Sequence, residues 1–391
     1  MFRYTISKHD SDLVMMVREL VNNYITPNAV YLDEKSDRIV DFNTLNILAE
    51  HNLLTPNIPK EYGGLGLSHL TTAMILEEIA VGCAGVASIV STNLHAVSPI
   101  LTAGTKEQKE EFLPRLTTKN PELAALALIE HKPNLDIFAF SGNMDIRNSS
   151  INVLDVDEDY ITLKGHKDYV MNAPTASFFT TMFSSTPKGE KKDLQVIVLP
   201  MDTPGVVVGN NKKTLGLRAC IASEVILDNV KVAKKYLLGK LGSGFLVFMQ
   251  NLDRNVAFTG AISLGVARAA YETALSASKT RMYMGKPSFE QSAVSYNLAD
   301  MATKINAARL SVHLACYCID NDLDYSQAAS KSKVISSSVA QEVTSNAMEI
   351  VGGRAYLYGH QSEKYLRDAK MLAIVDGSEQ FHKNLIATQF D

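Results

Sequence analysis

The sequence predicts an α+β chain in three consecutive parts: helical, then β, then helical again. Three observations carry that prediction. Apolar residues recur at three- and four-residue spacing up to about residue 120, short alternating segments follow from near Leu123, and the helical period returns after Gly242-Ser243-Gly244. The parts are bounded at 1–120, 121–235 and 236–391, to within roughly 2–4 residues. At roughly 100–200 residues per domain, 391 residues make two or three units.

The first part reads as amphipathic helices, with Leu13, Met16, Val17, Leu20, Val21 and Tyr24 on one face and Leu70, Met74, Leu76, Ile79 and Ala80 on another. Pro56, Pro59 and the run Tyr62-Gly63-Gly64-Leu65-Gly66 mark the turn between them. The middle part reads as strands at Ile151–Val153, Tyr160–Leu163, Phe178–Met182, Gln195–Leu199 and Glu224–Leu227, separated by polar turns such as Thr186-Pro187-Lys188-Gly189. The last part carries Ala- and Ser-rich helical faces at Gly260–Ala277, Ala293–Cys318 and Ala328–Val351, suited to close helix packing.

Thirty-eight Lys and Arg against 42 Asp and Glu give a net charge of −4, with neither sign gathered into a run, which argues against nucleic-acid or polybasic membrane binding. The most apolar stretch, Ala73 to Val97, is interrupted by Glu77-Glu78, so no spanning segment is expected. The polar N-terminus Met1-Phe2-Arg3-Tyr4-Thr5 lacks a signal-peptide core, and a cytoplasmic location is expected. Cys83, Cys220, Cys316 and Cys318 have neither Cys-x-x-Cys nor zinc spacing; they read as buried thiols, and no metal site is expected.

Two features of the last third point further. Gly352-Gly353 follows a helix directly, and Val375-Asp376-Gly377-Ser378 precedes the final one. Taken singly, the glycines read as a helix C-cap and Asp376 or Ser378 as an N-cap. They occur, however, within an ordered set: Pro59-x-Glu61-Tyr62-Gly63-Gly64-x-Gly66, Gly104-Thr105-x-Glu107-Gln108-Lys109, Gly165-x-Lys167, Leu215-Gly216-x-Arg218, Gly242-x-Gly244-Phe245, Arg281 with Gly285, Leu298-Ala299-Asp300-Met301-Ala302 and Arg367-Asp368-Ala369-Lys370. Across nearly the whole chain this set resembles the acyl-CoA dehydrogenase family. The resemblance implies an N-terminal helical domain, a middle β-barrel domain and a C-terminal four-helix bundle, assembled as a homotetramer with FAD between domains and across a subunit interface.

It also implies a reaction: α,β-desaturation of an acyl-CoA or acyl-carrier-protein thioester. A carboxylate takes the α-proton, the β-hydrogen leaves as hydride to FAD, and electron transfer flavoprotein is the acceptor. The family's catalytic Glu, in a Tyr-Glu-Gly-Thr run, aligns with Asp376; the base position other members use on the helix after Gly-x-Gly-Phe aligns with Asn255, which cannot accept the proton. Burial against acyl chain and flavin is expected to raise the Asp376 pKa. By the same alignment Tyr169, Asn172, Arg281, Glu349, Gly352, Gly353 and Ser378 are the cofactor-binding positions, and Leu135, Asp253 and Gly377 the substrate-binding ones. The chain departs from the family where Ile129-Glu130-His131-Lys132-Pro133-Asn134-Leu135-Asp136 lacks both hydroxyls of the flavin loop and where Met171 replaces a Thr. Two other readings of the same scaffold stay open, a flavin-dependent monooxygenase or oxidase and a non-catalytic partner subunit.

Overall fold

A computed structural model describes residues 6–34, 40–130, 150–186, 193–388 and 390. The chain starts with α1 (Lys8–Leu20), where the Ser7 hydroxyl accepts from the Asp10 amide and Val14, Val17 and Leu20 face inward. A wide π turn leads to α2 (Ala29–Glu34), and α3 (Phe42–Glu50) is capped by Asp41. Then come α4 (His69–Gly82), α5 (Ala84–Ala103) and α6 (Lys106–Phe112). Thr105 and Gln108 close a reciprocal capping box at the start of α6, and Gln108 Nε2 donates to the carbonyls of Lys235 and Leu237, fastening this helix to the β part. By length and composition α5 could cross a membrane, since it begins beyond the Glu77-Glu78 pair, but 94% of its apolar window is buried inside the fold.

The middle part contains β1 (Leu123–Ala127), β2 (Asn152–Val156), β3 (Tyr160–Met171), β4 (Ala176–Ser184), β5 (Leu194–Pro200), β6 (Val206–Asn211), β7 (Ala222–Ala233) and β8 (Leu237–Leu238). They form one sheet in the order β6-β7-β3-β2-β4-β5-β8, with β1 running parallel to β4. Leu163, Phe179, Phe183, Ile197, Leu199, Val225 and Val230, from four different strands, meet in a single core, so the sheet curls around a common interior.

The last part has α7 (Gly244–Thr280), α8 (Ser292–Asp320), α9 (Ser326–Val351), α10 (Gln361–Leu372) and α11 (Glu379–Ala387). The two helical parts do not keep separate cores: α1, α3, α4 and α5 share one cluster with α7–α11. Small residues permit this. A Cβ at Gly265 would stand 2.5 Å from Ala80 Cβ, which puts the α7 and α4 backbones close together. Around that contact Arg268 bridges Glu77 and Glu78 at 2.9 and 2.5 Å, Arg18 reaches Glu78 at 2.7 Å and Arg309 reaches Glu77 at 2.8 Å. The acidic pair thus ties α1, α7 and α8 to α4.

Candidate active site

A cavity of about 480 Å³ opens where the three parts meet. Its walls come from α5, from β1 and the residues just after it, from the end of β3, from α7 and from the α10–α11 connection. Leu126, Leu128, Ile262 and Val375 make much of the surface apolar. Asp376 is the one carboxylate among the described lining residues.

Local backbone chemistry fixes its position. Asp376 adopts φ 59°, in the left-handed region that an L residue rarely occupies, and Gly377 follows at φ 102°. A Cβ on Gly377 would stand 2.7 Å from the Phe381 ring and 3.0 Å from His382 Nε2. The Asp376 carbonyl accepts from His382 Nε2 at 2.9 Å, while Ser378 Oγ accepts from the Phe381 amide and starts α11. The turn is therefore held from both sides, and the carboxylate, 19% exposed, looks into the cavity.

Three groups surround that carboxylate. Thr259 Oγ1 of α7 donates to Oδ2, and His95 Nε2 of α5 lies 3.3 Å from the same oxygen. Lys333 Nζ of α9 is fully buried, donates to the carbonyl of Leu372 at the end of α10, and lies within electrostatic reach of Asp376. The surroundings of His95 favour its cationic form: Nδ1 is 2.8 Å from the Ser91 carbonyl, and Nε2 is paired by charge with the carboxylate. Burial alone would raise the Asp376 pKa, but the charge of His95, the hydrogen bond from Thr259 and the Lys333 ammonium outweigh it and hold the group well below the carboxylate range. This corrects the expectation of a raised pKa, which left out two cations that the sequence does not place beside residue 376. Burial pushes His95 down, yet the Asp376 carboxylate wins and raises it; burial lowers Lys333 to about 8 and His382 to about 4.

The other expected positions divide. Tyr169, at φ 51° and 58% exposed, lines the cavity with Lys212 Nζ 5.5 Å from its ring centroid, and Gly377 and Ser378 line it as well. Asn172 lies elsewhere. Its side chain is buried and donates to Ile89 O, Asn93 Oδ1 and Ala124 O, so it joins α5 to the sheet instead of facing the cavity. Asn255 is likewise occupied, donating to Asn251 on its own helix. Arg281, Glu349 and Gly353, all exposed, and the half-buried Gly352 form a second group away from the cavity. There Arg281 Nη1 donates to the carbonyls of Ile350 and Val351 at 3.4 Å, and a Cβ on Gly352 would run into the guanidinium. Asp253 does not line the cavity, but its Oδ1 is buried without a hydrogen-bond partner among the described residues, and burial, against a hydrogen bond from Ser326, pushes the carboxyl up to about 6. Leu135 lies outside the described residues, as do positions 131–136 of the flavin loop.

These residues fit a flavin nucleotide. An exposed aromatic at the wall of a largely apolar cavity suits a planar ring system. A guanidinium with no carboxylate within 4 Å among the described residues, over a glycine cradle that a side chain would fill, suits a pyrophosphate. The sequence reading missed His95, Thr259 and Lys333. A usable signal existed for the first: Ser88, Ser91, Thr92 and His95 recur at i, i+3, i+4 and i+7 on a helix whose other residues, Asn93, Ser98 and Thr102 apart, are small or apolar.

Three family models match in chain order: acyl-CoA dehydrogenase N-terminal domain over residues 7–120, middle domain over 141–230 and C-terminal domain over 242–390. The chain is 31% identical over 369 residues to cyclohex-1-ene-1-carbonyl-CoA dehydrogenase of Syntrophus aciditrophicus, covering 94% of this chain and 86% of that one. Its fold is similar to butyryl-CoA dehydrogenase from Megasphaera elsdenii, with a TM-score of 0.91, 27% identity and 99% of both chains covered. It is also similar to a chain in a structure described as the electron transferring flavoprotein of Acidaminococcus fermentans, with a TM-score of 0.92, 27% identity and 100% of both chains covered. The chain belongs to the acyl-CoA dehydrogenase family and is an oxidoreductase of its FAD-dependent, flavoprotein type.

Proposed function

We propose that the protein desaturates a CoA or acyl-carrier-protein thioester between its α and β carbons, with Asp376 as the base. The observation that carries this reading is the Asp376 carboxylate, held by a strained turn and facing a largely apolar cavity between the sheet and the helices. FAD, when bound, supplies acceptance of the β-hydrogen as hydride. The protein's own residues do the rest. The apolar walls bury the acyl group and keep bulk water from the reacting carbons. Asp376, ionised at neutral pH, takes the α-proton on a carboxylate oxygen. Asp253, with its unpaired buried oxygen, receives a donor of the thioester's carrier arm. Tyr169 and Ser378 would hold the flavin ring, and Arg281 with Gly352 and Gly353 would receive the pyrophosphate of the FAD. Electron transfer flavoprotein is the acceptor that the family resemblance supports.

Anaerobic mixing of FAD-loaded protein with a panel of CoA thioesters tests the reading. Loss of the oxidised-flavin absorbance with at least one thioester is the expected result, with Asp376→Asn slowed roughly 10²–10⁴-fold while retaining its flavin. A flavin that no thioester bleaches would overturn it.

A further inference from the structure

We propose that the acyl group accepted here is short and carries an oxygen hydrogen-bond acceptor, a hydroxyl or a carboxylate, that is received by His95. This rests on the dehydrogenase reading above and names its substrate class.

The argument starts from an oddity of the cavity. An acyl site for a plain alkyl chain needs apolar walls, because each buried polar group loses water and gains nothing in return. Here one wall is the polar stripe of α5, and at its end stands a buried imidazolium. The hydroxyls of Ser88 and Thr92 already donate to carbonyls one turn earlier on the same helix, Ala84 O and Ser88 O. His95 differs. Its Nε2 is buried and close to Asp376, but not aligned with the carboxylate as a hydrogen bond, and no other group among the described residues accepts from it. The cavity therefore contains a charged N–H donor that is paired by charge and unpaired by hydrogen bonding. An alkyl chain would leave that donor unmet, whereas an acceptor oxygen would meet it with a charge-assisted bond.

The position gives the donor a second effect. His95 Nε2 is 3.3 Å from the oxygen that Asp376 also presents to Thr259, so the donor stands within a few atoms of where the α-carbon must come. Only an acceptor a few bonds beyond the α-carbon can reach it, which is why the acyl group is short. An acceptor that draws the imidazolium away from the carboxylate also removes the main attraction that weakens Asp376 as a base. The right acyl group thus binds more tightly and frees the base; a plain alkyl group does neither.

The test uses FAD-loaded protein and four CoA thioesters: butyryl, pentanoyl, 4-hydroxybutyryl and succinyl. Pentanoyl and 4-hydroxybutyryl differ only by methyl against hydroxyl, and succinyl offers a carboxylate. Calorimetric affinity and flavin-bleaching rate are both read. Binding roughly 10–100-fold tighter for 4-hydroxybutyryl-CoA or succinyl-CoA than for pentanoyl-CoA is expected, with whichever is preferred identifying hydroxyl or carboxylate. The preference should vanish in His95→Leu and survive in part in His95→Gln, which keeps a donor and guards against a folding defect in the first variant. Pentanoyl-CoA binding as tightly as both oxygenated thioesters, or a preference unchanged in His95→Leu, would overturn the proposal. Fast bleaching by pentanoyl-CoA would sink it while leaving the dehydrogenase reading intact. Selective binding without bleaching by any thioester would support the polar pocket and sink the dehydrogenase reading.

Discussion

Asp376, His95 and Lys333 come from three distant segments, and their charges decide one another's protonation. Asp376 is held low, so its contribution to stability is present above the unfolded carboxyl pKa of about 3.9 and is lost as pH falls through the depressed folded value. His95 is held high, so its contribution is present below the unfolded imidazole pKa of about 6.5 and is lost as pH rises through the raised folded value. The pair therefore stabilises most between about pH 4 and 6.5. Urea unfolding of wild type and His95→Gln should differ most in that window and converge as pH rises above it; a constant difference across pH would contradict the ion pair. Lys333 adds a second cation behind the carboxylate. Lys333→Met should move the acid limb of kcat/KM upward in pH, because Asp376 loses a group that favours its charged form. An unmoved limb would show that the ammonium is not coupled to the base.

Among the elements, the long C-terminal helices were legible because their apolar period runs for many turns: the faces read at Gly260–Ala277, Ala293–Cys318 and Ala328–Val351 fall inside α7, α8 and α9. Strands β1, β6 and β8 were not read. Leu123–Ala127 is mostly alanine, Val206–Asn211 ends in Gly and Asn, and Leu237–Leu238 is two residues long, so none shows an alternating β-branched pattern. Asp376 was legible through the family resemblance, because the run that carries it, Val375-Asp376-Gly377-Ser378, is contiguous in sequence, whereas Thr259, His95 and Lys333 meet it only through packing of α7, α5 and α9. The Glu77-Glu78 cluster gives an element-scale expectation. Arg268→Ala leaves two buried carboxylates short of a cation they share and should cost about 3–5 kcal/mol in equilibrium unfolding. A loss under about 1 kcal/mol would mean that Arg18 and Arg309 suffice.

At the scale of the whole molecule, the cofactor positions fall into a cavity group and an exposed Arg281 group. Around the second, Met284 is 87%, Tyr356 72% and Tyr358 72% exposed, an apolar surface suited to a second copy. Light scattering of the FAD-loaded protein is expected to give about four times the 42.8 kDa of one chain; a monomer mass at micromolar concentration would contradict the shared-cofactor arrangement. The central claim is that Asp376 removes the α-proton, and it can be measured without any electron acceptor. FAD-loaded wild type and Asp376→Asn are incubated anaerobically in D2O with succinyl-CoA and butyryl-CoA, and deuterium at the α-carbon is followed by NMR. The expected result is wash-in by the wild type that falls roughly 10²–10⁴-fold in the variant while its FAD stays bound. Equal wash-in by the two proteins would contradict the claim and move the base to another residue.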